Sequence, residues 1–245
     1  MPIPQEDIRA LCEEKYGGDL SAPMDADIAR LAQGEPLAYV IGTQPFLGLS
    51  ISLDSRPLIP RPETEWWTEE AVCHIGTRPL KVLDLCAGSG AIGCAVLRHC
   101  PNAQVTFVEL NKQHQETIKK NISLNALDAS RATIFIGDLF TPVQHQTFDV
   151  ILTNPPYIPR ARTLPVSVTQ YEPSEALFAD SDGLSVISRI AKEVGQHLSS
   201  QGEVWVECDI EHIKKAEELF REQGATRTEI RTDPYGRERL LVAYY

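Results

Sequence analysis

Asn154-Pro155-Pro156-Tyr157 is where residue types and their order define a chemistry. Asn154 carries a side-chain carbonyl oxygen, an acceptor. A residue that precedes proline is held extended, which fixes the direction of its own carbonyl and side chain. The carbonyl of Pro155 is a second acceptor. Two acceptors at one point suit an NH2 group on an sp2 carbon, and Tyr157 offers a flat apolar face on which a planar group can lie. An amide or aryl amine is a poor nucleophile because its lone pair is conjugated. Accepting both of its N–H bonds aims that lone pair and leaves no donor to compete for it. The bland reading of the tetrapeptide is a strand end and a loop, and its position argues against that reading. It closes Phe148-Asp149-Val150-Ile151-Leu152-Thr153, a mostly apolar, β-prone run that reads as a buried parallel strand. Proline has no N–H to donate, so the ladder stops there. Ligands of open α/β sheets bind just past such strand ends.

A second constellation lies upstream. Asp84-x-x-x-Gly88-x-Gly90 joins the strand Val82 to Cys86 to a helix of roughly Ala91 to His99, through the turn Ala87-Gly88-Ser89-Gly90. Glycine in such a turn lets the backbone approach a ligand closely. Cys86 holds the place of the first glycine of a dinucleotide fingerprint and Gly93 is offset from it, so the turn is weak support by itself. Glu109 strengthens it. It ends the second strand about 20 residues past the turn, where an acid accepts from ribose hydroxyls. Asp138 ends the third strand and is placed to accept from an adenine amino group. Acids 84, 109 and 138, each at or near a strand's C-terminal end, are expected to line one crevice if the strands are parallel. An acidic, phosphate-poor crevice disfavours NADP and suits a cationic adenosyl cofactor such as S-adenosylmethionine, whose ammonium Asp84 would meet directly or through water.

These residues need a framework, and strand–helix alternation from Lys81 supplies it. The predicted strands are 82–86, 104–109, 132–138, 148–153 and 203–207, then 228–231 and 239–243, the last two an antiparallel pair. Helices are expected to about residue 125 after the second strand, over 183–198 and over 210–223, and a loop over 158–182. This is a doubly wound α/β domain. Ahead of it, 5–17 and 25–33 show short helical patterning, too short for a core of their own. Alternation of Leu47, Leu49, Ile51 and Leu53 predicts a strand within a hairpin that ends near Leu58-Ile59. Pro60-Arg61-Pro62-Glu63-Thr64-Glu65 opens a helix to Ile75, with proline and acids at its start. Arg61, pinned between prolines, is preset to face a carboxylate or a partner backbone.

The 245 residues fit one large domain, or one large and one small. Apolar content of 42% and charged content of 23% are globular norms. A net charge of −11 argues against bulk electrostatic binding to nucleic acid. The six cysteines form no Cys-x-x-Cys pair and no zinc-like spacing, so reduced thiols, a cytoplasmic location and no metal are expected. The acidic N-terminus is no signal or transit peptide, and no apolar run approaches the ~20 residues of a membrane span.

From Pro36 onward the sequence resembles the class I methyltransferases of the release-factor glutamine methyltransferase (HemK/PrmC) type. The likeness is carried by Pro36-Leu-x-Tyr39-x-x-Gly42, Leu58-Ile-Pro-Arg-Pro-Glu-Thr-Glu65, Asp84-Leu-Cys-Ala-Gly-Ser-Gly90, Gly137-Asp-Leu-Phe140, Asn154-Pro-Pro-Tyr-Ile158, Tyr171-Glu-Pro173, Asp182-Gly-Leu184 and Gly236-Arg-x-Arg239. It implies a Rossmann-like sheet of seven strands, mostly parallel with an antiparallel C-terminal strand, behind a short N-terminal helical element and hairpin. The corresponding division is 1–35 helical region, 36–62 linker with hairpin, and 63–245 S-adenosylmethionine-dependent domain. It implies that Cys86, Ala87, Gly88, Ser89 and Gly90 wrap the methionyl part of the cofactor, that Glu109 holds the ribose and that Leu139 lies against adenine. Asn154 would touch both cofactor and substrate. Asn154, Pro155, Pro156 and Tyr157, with Arg61, would bind the acceptor, and Asn154, Pro155 and Tyr157 would carry catalysis. The acceptor so implied is the Gly-Gly-Gln glutamine of class I peptide-chain release factors, the product N5-methylglutamine, and the enzyme a monomer. Three departures stand out: the N-terminal region is shorter than the family's usual docking domain, Cys86-Ala87 replaces the commoner Gly-Thr, and Glu109 replaces the commoner Asp. Methylation of an adenine amino group in nucleic acid, or of a ribosomal-protein glutamine, would use the same four residues; a non-catalytic adaptor would not need them.

Overall fold

The computed structural model describes residues 3–180 and 182–245; residues 1, 2 and 181, which fall in the expected N-terminal region and the expected loop 158–182, lie outside it. The order of elements is α1 (Gln5–Tyr16), α2 (Asp25–Ala32), α3 (Leu37–Ile41), β1 (Thr43–Phe46), β2 (Leu49–Ser52), α4 (Pro62–Ile75), β3 (Lys81–Leu85), α5 (Ala91–His99), β4 (Gln104–Glu109), α6 (His114–Leu124), β5 (Ala132–Ile136), β6 (Phe148–Thr153), α7 (Val166–Tyr171), α8 (Ser174–Leu177), α9 (Ser185–Val194), β7 (Leu198–Glu207), α10 (Ile213–Glu222), β8 (Arg227–Thr232) and β9 (Glu238–Tyr244).

Seven strands form one sheet in the order β5-β4-β3-β6-β7-β9-β8. β3 to β7 are parallel to one another, while β9 runs antiparallel between β7 and β8. The order turns around between β3 and β6, so the crevice of this open sheet opens past Leu85 and Thr153. Alternation along each strand divides the apolar side chains between two layers. Val82, Val150, Leu152 and Trp205 pack on one side with α4, α5 and the β1–β2 hairpin. Leu83, Leu85, Ile151, Val204 and Val206 pack on the other with α9 and α10. Strands buried on both faces explain the near-continuous apolar runs that made them legible.

The structure corrects the sequence reading in four places. The alternating run from Leu47 to Leu53 is not one strand, because Leu47 (φ 45°) and Gly48 turn the chain between β1 and β2. The hairpin therefore ends at Ser52. The stretch after Asn154 is no plain loop: it contains α7 and α8, and Ile158 forms a parallel bridge to Phe178. β7 begins at Leu198, five residues before the expected start, because its first half continues past a register shift against β6. Finally, the N-terminal helices do bury a small cluster of their own, Leu11, Leu31 and Val40. Within it the nearly buried Asp27 accepts from Tyr16 at 2.7 Å and pairs with Lys15 at 2.6 Å.

The hairpin is fastened to the domain by side chains that imitate a strand. Asn121 accepts from the Ser52 amide at 2.7 Å and donates to its carbonyl at 3.2 Å; Asn125 repeats the arrangement at Ser50. Asn121 Nδ2 also reaches the Ser89 carbonyl at 2.9 Å. One buried amide thus ties the hairpin to the glycine turn, and its full complement of bonds is what makes its burial tolerable.

Candidate active site

Two cavities open past the C-terminal ends of the parallel strands. The first, about 300 Å³, is lined by Cys86, Ala87, Gly88, Ser89, Glu109, Asp138, Leu139 and Pro156 among others. The second, about 270 Å³, is lined by Arg61, Pro155 and Tyr157 within an otherwise largely apolar wall of Leu58, Leu164, Val168 and Leu177. Leu58, Asn154 and Ala176 border both. Residues at opposite ends of the chain's sequence-level pattern therefore meet at Asn154.

The glycine turn shapes the first cavity. Cys86 stands in the left-handed region at φ 63°, which an L side chain adopts only at some cost and which glycine adopts freely. It is half-buried, and the desolvation of its thiol pushes the pKa up to about 12, so it is a neutral wall and no nucleophile. Glu109 supports the turn from the neighbouring strand: its Oε2 accepts from the Gly88 amide at 2.7 Å and its Oε1 from the Asn111 amide at 2.8 Å. Each carboxylate oxygen retains a lone pair for a further donor at the cavity wall. Asp138 is paired with Arg189 at 2.6 Å, and Leu139, at φ 46°, presents a nearly buried apolar surface.

Asp84 does not join Glu109 and Asp138 at the wall. It is fully buried behind the turn, with Oδ2 accepting from the Gly93 amide at 2.8 Å and Oδ1 without a partner among the described residues. Gly90 also lies behind the wall, where it opens α5. Burial, with a smaller contribution from Glu109, pushes the Asp84 carboxyl up to about 8. Its folded pKa is raised above the ordinary 3.8, so the folded state holds a proton that the unfolded chain has released, and stability falls as pH rises between those values. Asp84→Asn is therefore expected to gain in melting temperature relative to wild type, in the ligand-free protein, as the pH is raised toward about 8, the gain levelling off above it. Parallel thermal melts at pH 6 and pH 9 check this; an unchanged difference between the two proteins would show that Asp84 is already compensated.

At the junction, the side chains are held by a buried carboxylate. Asn154 Nδ2 donates to Thr64 Oγ1 at 3.1 Å, and the Thr64 hydroxyl donates to Glu207 Oε2 at 2.6 Å. Trp67 Nε1 donates to the same oxygen at 2.7 Å, and Tyr157 donates to Oε1 at 2.8 Å. Glu207 is 1% exposed, and burial raises its pKa while the three donors act against that. Tyr157, lodged beside Glu207, has its pKa raised by burial and by that carboxylate, so its hydroxyl stays protonated and anchors the ring. Arg61 does face a carboxylate: it pairs with Glu172 at 2.5 Å, whose other oxygen accepts from the Ile59 amide at 3.2 Å. The Tyr171-Glu172-Pro173 stretch is thereby clamped over the Pro60-Arg61-Pro62 segment.

Sequence reasoning missed Thr64, Trp67, Glu172 and Glu207. Thr64 was hidden by a sufficient local explanation, helix-start chemistry. Glu207 had a usable signal, since it ends β7 as Glu109 ends β4. His114, nearly buried at the start of α6, also lines the first cavity, with Nδ1 2.8 Å from the Ser55 hydroxyl.

Residues 72–170 match the family model described as Methyltransferase small domain. Among solved structures, the chain superposes on a methyltransferase from Pyrococcus furiosus at TM-score 0.58 and 18% identity, covering 89% of this chain and 98% of that one. It superposes on a T. thermophilus 16S rRNA N2 G1207 methyltransferase in complex with AdoMet and guanosine at TM-score 0.61 and 20% identity, covering 82% and 49%. These likenesses concern the fold. Sequence relatives are nearer. A protein of Geobacter sulfurreducens named release factor glutamine methyltransferase is 36% identical over 216 residues, 87% of this chain and 75% of the relative. One of the same name from Streptococcus pneumoniae is 34% identical over 218 residues, 87% and 76% of the two chains. With relatives of that name more than 30% identical and matched over three quarters of their own length, the chain belongs to the release factor glutamine methyltransferase family.

Proposed function

We propose that this protein transfers the methyl group of S-adenosylmethionine to the side-chain amide nitrogen of the Gly-Gly-Gln glutamine of class I peptide-chain release factors. The observation that carries the reading is the position of Asn154 on the border between the two cavities. The first has what an adenosyl cofactor with a cationic tail requires: free lone pairs on Glu109, an apolar surface at Leu139, and an unpartnered Asp84 oxygen behind the turn. Cys86 to Ser89 would line the amino-acid end, with Asp84 and Gly90 supporting the turn from behind, Glu109 would hold the ribose, and Asp138 and Leu139 the adenine. When bound, the cofactor supplies an activated methyl group on a sulfonium.

The chain's own residues prepare the acceptor. Asn154 Oδ1 and the Pro155 carbonyl accept the two amide N–H bonds of the glutamine, which fixes the nitrogen's orientation. Tyr157, anchored through its hydroxyl, offers its ring to the planar amide. The largely apolar second cavity removes water from the amide as it enters. Positioning and a preorganised polar environment thus supply the catalysis. Glu207 is spoken for by three donors and is no general base for this proton, which leaves to water once the amide nitrogen has become acidic.

The same reading treats residues 1–35 as a short helical region, 36–62 as a linker with the hairpin and 63–245 as the catalytic domain, working as a cytoplasmic monomer. Family resemblance supports this division, while the Leu11, Leu31 and Val40 cluster packs the start of the second segment against the first. Among the described residues no helix is long and apolar enough to cross a membrane.

Labelled S-adenosylmethionine offered with a class I release factor, its Gly-Gly-Gln→Gly-Gly-Ala variant and an adenine-containing DNA duplex tests the reading. Label is expected on the wild-type factor alone; label on DNA would move the assignment to adenine. Glu109→Ala should weaken S-adenosylmethionine binding at least about tenfold, the scale of losing a charge-assisted hydrogen bond. Turnover at saturating cofactor should change far less. Calorimetric titration beside steady-state kinetics separates the two, and an unchanged dissociation constant would remove Glu109 from the site.

A further inference from the structure

Glu207 is buried, lines neither cavity, and yet collects the hydroxyls of Thr64 and Tyr157 and the indole N–H of Trp67. Such a carboxylate is costly to bury and needs its donors. What it does for the site follows from the number of protons available. A hydroxyl has one proton to give. Trp67 Nε1 can only donate, and it shares Glu207 Oε2 with Thr64, so Oε2 is an acceptor whether or not a proton sits on Oε1. Thr64 must then spend its proton on Glu207. Toward Asn154 it has only a lone pair to offer, and the atom of the carboxamide that turns to it, at 3.1 Å, has to be Nδ2. The carbonyl oxygen is thereby turned away from Thr64.

We propose that Glu207 is a positioning residue, which through Thr64 decides which end of the Asn154 carboxamide is offered to the acceptor amide. The proposal rests on the reading of Asn154 as an acceptor of substrate N–H bonds. Without the carboxylate, Thr64 is free to donate to Asn154 instead. The amide then turns over, and its NH2 group meets the NH2 group of the substrate, donor against donor. Leucine at position 207 has this effect, because it offers Thr64 no acceptor; glutamine does not, because Trp67 can only donate and keeps the glutamine carbonyl oxygen at the Oε2 place, where it still accepts from Thr64. The same carboxylate holds the Tyr157 hydroxyl through its other oxygen, so acceptor and stacking ring are set from one group.

The test has two readouts. In protein labelled with 15N-asparagine, the Asn154 side-chain NH2 signal is identified by its loss in Asn154→Ala. In the wild type one of its protons should be shifted and protected from exchange by Thr64. Glu207→Leu and Thr64→Val should abolish that shift, and Thr64→Ser and Glu207→Gln should keep it. In the methyl-transfer assay with a class I release factor, Glu207→Leu and Thr64→Val should lower kcat about 10- to 100-fold, as loss of a group that orients a primary contact does. The S-adenosylmethionine dissociation constant should stay within about threefold. Thr64→Ser should retain most of kcat, and Thr64→Val added to Asn154→Ala should cost nothing more. An Asn154 signal unaffected by both Glu207→Leu and Thr64→Val overturns the proposal. So does a Thr64→Val loss of equal size with and without Asn154. Should Glu207→Leu not fold, Thr64→Val and Thr64→Ser decide between the same two outcomes. A wild-type enzyme that labels no release factor would defeat the proposed function, while the asparagine signal would still decide the role of Glu207.

Discussion

Asn154→Ala is expected to lower methyl transfer to a release-factor glutamine about 10²- to 10³-fold, the scale on which one preorganised contact to a reacting group is lost. The loss should appear in kcat and equally in kcat/KM, since the oriented acceptor matters most where the amide nitrogen reacts. S-adenosylmethionine binding should move by no more than about threefold, because Asn154 only borders the first cavity, whose turn and strand-end acids remain. Stability should change little. The deletion leaves the Thr64 hydroxyl with its bond to Glu207 intact, so no buried donor is orphaned. Steady-state kinetics with labelled cofactor, calorimetry and a melting curve test the three parts together. If the variant methylates the glutamine near the wild-type rate, acceptance of both N–H bonds is not how the amide is activated.

Gly93→Ala carries the largest expected effect on stability. A Cβ at this position would lie 2.2 Å from Cε1 of Phe107 and under 3 Å from two further ring atoms. Phe107 is fully buried in β4, so the ring has no room to retreat. Either the ring leaves its rotamer or α5 moves off the sheet. Overpacking of this kind costs about 2–3 kcal/mol, which outweighs the better helix propensity of alanine, about 1 kcal/mol. A displaced α5 would also stretch the 2.8 Å bond from the Gly93 amide to Asp84. For a chain of this size the melting temperature should fall roughly 5 °C, and cofactor affinity should fall with it. Gly88→Ala makes an instructive contrast. Nothing lies within 4 Å of its added Cβ, and its φ of 55° accounts for the whole penalty, about 1 kcal/mol. A Gly93→Ala protein that melts with the wild type would show that α5 has freedom this packing denies it.

The order of residues alone specified the succession of strands and helices and the place of the two chemical segments within it. Parallel strands buried on both faces write themselves as apolar runs, and prolines and glycines mark where such runs stop. Asn154, Glu109 and the glycine turn were legible for that reason: each follows or ends a strand directly, so its position depends on local order. The separation of Glu109 and Asp138 from Asp84 was not legible. All three sit at or near strand ends, but Asp84 points behind the turn to the Gly93 amide, and only the packing of α5 on the sheet puts that amide there. The same holds for Gly93, whose need to be glycine is imposed by the Phe107 ring of β4, which α5 packs against. It holds most of all for Glu207. It is separated from Thr64 by 143 residues and from Tyr157 by 50, and it touches neither until β7 lies beside β6 and α4 packs across them. Sequence order dictates which residue follows which strand. Which buried proton meets which lone pair is settled when distant elements close on one another.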